Sequence, residues 1–248
     1  MKGDVLFEGG VVSHGDAVRA YPGGQGLSKP SQIVAFLFLL AFCPQMAFGQ
    51  TMTATSLHAA AARDDVGAIK RLLAGGAAID GRDARGRTAL LVATHENRID
   101  AARALIEAGA DVNAKDAIND SPYLYAGASG HLAILRLTLS HGADLKSTNR
   151  YGGTSLIPAC ERGHVETVRT LIAAGVAVDH VNNLGWTGLL EAIILSDGGQ
   201  AHQLIVKDLI AAGADVNLAD RDGVTPLRHA RNRGYAKIEQ MLRAAGAR

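Results

Sequence analysis

From residue 55 onward, short apolar runs alternate with polar joints that carry glycine. Runs such as "TALLVAT" at 88–94 and "AARALIEA" at 101–108 place apolar residues three and four positions apart, which is one face of an α-helix. One kind of run is short, rich in Ala and Leu, and follows a hydroxyl residue. That hydroxyl can accept a hydrogen bond from an unpaired N–H of the first helical turn. The other kind ends at a glycine, which can take the left-handed conformation that closes a helix. Between the runs lie "DARG", "NRYG", "NNLG" and "DRDG", whose Asx and Gly residues suit tight turns. The predicted unit is turn, short helix, loop, second helix.

The unit recurs. Thr55, Thr88, Ser121, Thr154, Thr187 and Thr225 open six blocks at spacings of 33, 33, 33, 33 and 38. Gly76, Gly109, Gly142, Gly175, Gly213 and Gly246 give a second register, with spacings of 33, 33, 33, 38 and 33. Two unrelated markers agreeing on one period is the signature of a repeat architecture. The extra five residues fall between the two helices of the fifth block, around "SDGGQAHQ" at 196–203. The glycines there predict a mobile loop extension, a candidate lid or partner contact.

The segments "DGVTPLRHA" at 222–230, "GADVNA" at 109–114 and "GADVNL" at 213–218, with Gly-His at 130–131 and 163–164, give the chain a family likeness. It resembles the ankyrin-repeat proteins over residues 53–248. The resemblance implies an α-solenoid, a stack of about six helix-turn-helix units with short β-hairpin-like turns projecting from one edge. The repeats would run 53–82, 83–115, 116–148, 149–181, 182–219 and 220–248. One departure stands out. The family's Thr-Pro-Leu-His signature keeps its histidine only at His58, with Leu91, Leu124, Ile157, Leu190 and Arg228 at the matching positions. Apolar packing is therefore expected to carry more of the stack than a histidine network. Arg228, Arg231, Arg233, Lys237, Arg243 and Arg248 are expected to give the last repeat the polar outer face of a cap.

Residues 1–49 read differently. "IVAFLFLLAFC" at 33–43 is an apolar run preceded by Lys29 and ended by Pro44, with Ala47 and Gly49 two apart beyond it. This is the pattern of a secretory signal peptide cleaved near Gly49, and the run is short for a membrane span. The expected organisation is an N-terminal extension and signal over 1–49 and a repeat domain over 50–248. The mature protein would be exported, periplasmic or secreted, without a stable membrane anchor.

Composition narrows the function. The net charge is +1 and acids and bases are interspersed, which gives no basic stripe for nucleic acid. Cys43 would leave with the signal, so Cys160 could form no internal disulfide. Cys160 and His164 are four apart, yet the repeat register makes one a core thiol and the other part of a Gly-His turn. The histidines are scattered rather than grouped, so no metal, cofactor or catalytic set is expected.

The resemblance places the turn tips and one face of each first helix along a concave groove. There Tyr151, Leu184 and Trp186 stand on tips where polar residues are the ordinary expectation, and large apolar groups on exposed turns mark contact patches. Tyr125, Glu161, Arg162, Glu191 and His229 would line the groove floor beneath them. The reading is a monomeric, non-enzymatic scaffold that binds a protein partner. Its rivals are a small-ligand receptor with a pocket around Tyr125, Glu161, Trp186, Glu191 and His229, and a secreted effector that binds a host protein. A plainer reading folds Trp186 back onto its own repeat.

Overall fold

The computed structural model describes residues 57–248. The expected export signal, its cleavage near Gly49, Cys43 and the first hydroxyl marker Thr55 lie outside the described residues. Residues 57–62 are helical and form α1. There follow α2 (Val66–Ala74), α3 (Ala89–His95), α4 (Ile99–Glu107), α5 (Pro122–Ala128) and α6 (Leu132–Ser140). Then come α7 (Leu156–Glu161), α8 (Val165–Ala173), α9 (Gly188–Ile194), α10 (Gln200–Ala211), α11 (Pro226–Asn232) and α12 (Ala236–Ala244). Among the described residues there is no strand, and no helix is long and apolar enough to cross a membrane.

The helices form six pairs, each a short first helix and a second one. From α3 onward each first helix packs on the next, through α5, α7 and α9 to α11. From α2 onward the second helices do the same, through to α12. The apolar stripes face inward: Leu90, Ile134, Leu156, Leu171, Leu189 and Leu209 are all buried in one continuous core. Burying such a side chain contributes about 1.5–3 kcal/mol, and the neighbouring repeat supplies much of the covering surface. The six cationic residues expected on the cap, from Arg228 to Arg248, are all exposed.

The hydroxyl caps form at Thr88, Ser121, Thr187 and Thr225, which accept from the N–H three residues on at 3.2–3.3 Å. Thr154 departs from that expectation: α7 begins two residues later, and the Thr154 hydroxyl is buried without a partner. The cause is Pro158, which has no N–H to give the Thr154 carbonyl. Ile157 N–H takes that carbonyl instead, at 3.3 Å, and the first turn tightens away from the cap. The six marker glycines end the second helices at φ of +81° to +93°. At Gly109 the closure is a Schellman pair, Gly109 N–H to Ile106 O at 2.9 Å and Ala110 N–H to Leu105 O at 3.0 Å.

Two further expectations are corrected. The insertion at 196–203 is not a free loop. α10 has 12 residues where α8 has 9, so three of the five added residues lengthen the helix. The short remainder is tied down: Tyr235 Oη donates to Ser196 O at 2.5 Å, and Gln203 Nε2 donates to Gly198 O at 2.7 Å. The histidines also bind the stack more than expected, from positions outside the signature. His131 and His202 place a ring nitrogen 2.9 Å from the carbonyls of Thr94 and Glu161 in the preceding repeat, and His180 lies 2.7 Å from Gly152 O at the turn that opens its own repeat. His58 reaches Arg87 O in the next repeat, at 2.7 Å.

Candidate functional site: the turn tips and the helix beneath

Five turns, 83–87, 116–120, 149–153, 182–186 and 220–224, share one construction. The N–H of the first residue donates to the carbonyl of the fifth at 2.9–3.1 Å. The first residue is always Asp or Asn, and its side-chain oxygen accepts from the N–H groups of the third and fifth. At Asn182 those bonds run from Leu184 and Trp186 at 2.9 and 3.0 Å. The fourth residue lies at positive φ, which is why Gly or Asn stands there. Burial works against ionisation of Asp83, but the Arg87 side chain and the N–H donors of Arg87 and Arg85 outweigh it, and the carboxyl lies below its ordinary range. Asp220 is lowered in the same way, with burial outweighed by Val224, His229 and Asp222.

This construction leaves the third side chain pointing away from the turn's bonding. The third residues are Arg85, Ile118, Tyr151, Leu184 and Asp222. Ile118, Tyr151 and Leu184 are 48%, 54% and 51% exposed, which makes an apolar row across the three central tips. Neighbouring tips are joined through the backbone, with Ala117 N–H on Arg85 O at 3.2 Å and Asn183 N–H on Tyr151 O at 2.8 Å. The Arg150 guanidinium sits 4.9 Å from the Tyr151 ring centre.

Tyr151 and Leu184 thus occupy equivalent places, whereas Trp186 stands two residues further on and is half-buried at the foot of its turn. Ile118, which shares their place, was legible in the 33-residue step back from Tyr151. Glu191 is buried, 5% exposed, and accepts from Asn182 Nδ2 at 2.8 Å. Asn182 therefore joins the tip that carries Leu184 to the helix beneath it. Burial pushes the Glu191 carboxyl up to about 7; the Glu161 charge adds to the shift, and Asn182 and Arg162 oppose it.

Glu161 is half-buried, and Arg162 is exposed with its Nη1 donating to Ala128 O at 2.7 Å. His229 Nε2 lies 2.8 Å from Asp220 Oδ2, at the same nine-residue separation as Asn182 and Glu191. Tyr125 stacks on His95 with ring centres 3.9 Å apart, and meets the edge of His131 at 6.0 Å. Cys160 is fully buried, and burial with the Glu191 charge pushes its thiol up, away from what a nucleophile needs. Surface depressions lie at the C-terminal cap beside Arg228 and Arg248, and beside Gln203, Lys207 and Met241. Neither is lined by Tyr125, Glu161, Trp186, Glu191 or His229.

The family model described as ankyrin repeats (3 copies) matches residues 30–116 and 123–220. The chain belongs to the ankyrin-repeat family. Ankyrin repeats generally mediate protein–protein interaction, on frames that are typically non-enzymatic. A crystal structure of an ankyrin repeat domain from Acinetobacter baumannii AYE is 69% identical, with a TM-score of 0.76, covering 77% of this chain and 98% of that one. The ankyrin repeat protein EF0377 is 42% identical, with a TM-score of 0.74 over 77% of this chain and 97% of its own. The ankyrin repeat domain of Bcl-3, a member of the IkappaB protein family, is 27% identical at a TM-score of 0.71, over 78% of this chain and 86% of its own. The ankyrin repeat protein YahD of Escherichia coli (strain K12) is 53% identical over 58 residues, which is 23% of this chain and 29% of that protein's length.

Proposed function

We propose that this protein is a binding scaffold that holds a protein partner along its turn tips, after export from the cytoplasm. The observation that carries the reading is the row Ile118, Tyr151 and Leu184, three large apolar side chains exposed at one repeated place. Nothing in the construction of the turns requires them, since the Asx oxygens and backbone groups already close each turn. Large apolar and aromatic groups on a rigid exposed frame are what binding anchors consist of. Trp186, half-buried at the foot of the fourth of these turns, would add apolar contact, and the half-buried Glu161 and exposed Arg162 polar specificity, whereas Glu191, expected beside them, is buried against Asn182 and braces the turn from beneath. The export part rests on the apolar run at 33–43, and the N-terminal sequence of the mature protein tests it.

The binding part is tested by measuring affinity for a captured partner with Tyr151→Ala and Leu184→Ala. Each substitution is expected to cost about 2 kcal/mol of binding while the melting temperature stays within a few degrees. Undiminished affinity in both variants sinks the reading.

A further inference from the structure

The tips also differ in charge. Among the described residues, the five turns hold three exposed arginines, Arg85, Arg150 and Arg221, and one exposed acid, Asp222, on the last turn. The acids that open turns, Asp83, Asp116 and Asp220, each have Oδ1 engaged by two backbone N–H groups, and Oδ2 of Asp83 and of Asp220 meets Arg87 and His229. Asp120 is half-buried at the foot of its turn. None of the three arginines has an ion-pair partner within 4 Å among the described residues, in contrast to Arg87, which is paired with Asp83.

Each arginine also stands beside one member of the apolar row. Arg85 holds the place equivalent to Ile118 on the adjoining tip, and the two tips share a backbone hydrogen bond. Arg150 lies over the Tyr151 ring, and a side-chain hydrogen bond with Tyr151, helped by the charges of Asp120 and Asp116, holds the guanidinium in place and its pKa above the ordinary range. The Arg221 stem runs across Gly185, next to Leu184; its Cγ is the first atom that a side chain on Gly185 would strike. Apolar side chains on the second, third and fourth tips are thus accompanied by cations without an ion-pair partner on the first, third and fifth.

We infer that the tip row docks a protein segment that is both apolar and acidic, with Ile118, Tyr151 and Leu184 taking its apolar side chains and Arg85, Arg150 and Arg221 its carboxylates. This rests on the tip-row reading above and names the partner's chemistry. Complementary charge of this kind fixes register and speeds encounter, and apolar burial provides the hold. Guanidinium groups suit carboxylates because their planar donors match both oxygens.

The test uses the full chain and two labelled synthetic peptides with the same Leu/Phe face, one carrying Glu and the other Lys on its remaining positions. Fluorescence anisotropy is expected to show the Glu peptide binding on the order of tenfold more tightly or better. The preference should shrink as salt is raised, because exposed charges are screened beyond roughly 8 Å at physiological ionic strength. In the triple variant Arg85→Glu, Arg150→Glu and Arg221→Glu the preference should reverse. Arg85→Gln, Arg150→Gln and Arg221→Gln together should abolish it; circular dichroism confirms folding of both variants. Equal binding of the two peptides, binding of neither, or a preference that survives charge reversal overturns the inference. So does a single-stranded RNA that binds as tightly as the Glu peptide. If no peptide binds but Tyr151→Ala still weakens the native partner, only the partner's chemistry fails. If Tyr151→Ala and Leu184→Ala leave the native partner untouched, the tip-row reading fails with it.

Discussion

Glu191 is a carboxyl buried under a turn, held by one amide and facing the charge of Glu161. Its carboxyl lies at about 7 in the folded chain against an ordinary 4.5, so the folded state binds a proton that the unfolded state has already released. Between those values stability falls as pH rises, and above about 7 the loss is complete. The full shift corresponds to at most about 3 kcal/mol. The wild type is therefore expected to melt at a lower temperature at pH 8 than at pH 5. Glu191→Gln keeps an acceptor for Asn182 and removes the charge, so its melting temperature should change little over that range and exceed the wild type's at pH 8. Thermal melts of both proteins across pH check this. The sequence placed Glu191 on the helix beneath the tip, but its burial could not be read there. The residue that covers and binds it, Asn182, is nine positions away and meets it only once the turn has closed.

Elements were legible where one local rule acts alone. The closing glycines behave as their spacing predicts, because a left-handed residue is needed wherever a second helix stops. Thr154 failed as a cap because a second local rule, the missing N–H of Pro158, acts on the same turn. The glycines of the insertion signal a loop, whereas "QAHQ" winds as the first turn of α10 with α12 and Tyr235 beside it, a long-range contact that no local pattern carries. Removing that hydroxyl by Tyr235→Phe deprives Ser196 O of its donor. The expected cost is about 1 kcal/mol in global stability, with faster amide exchange confined to residues 196–200. Hydrogen exchange followed residue by residue measures both.

At the scale of the molecule, the marker registers, stepping by 33 and once by 38, agree with the helix pairs seen among the described residues, because each repeat meets only its neighbours and repeats the same solution. The same property makes stability position-dependent. Leu156 lies in a repeat flanked on both sides, and Leu227 in the last repeat described. Leu156→Ala, at a cost of about 2–5 kcal/mol, should lower the main unfolding transition of the stack. Leu227→Ala should instead release residues 220–248 at a separate, lower temperature and leave the rest nearly unchanged. Calorimetry and exchange on the two variants distinguish these patterns, and a single shared transition in both would refute the neighbour-limited picture.

The construction of the turns has a consequence for descent as well as for binding. Closure depends on the first and fourth residues and on backbone groups, so the third residue answers to no structural demand. Arg85, Ile118, Tyr151, Leu184 and Asp222 are therefore free to drift singly, one repeat at a time, without penalty to folding. A lineage can exchange one partner for another by changing a few residues spaced 33 or 38 apart while the frame beneath is inherited intact.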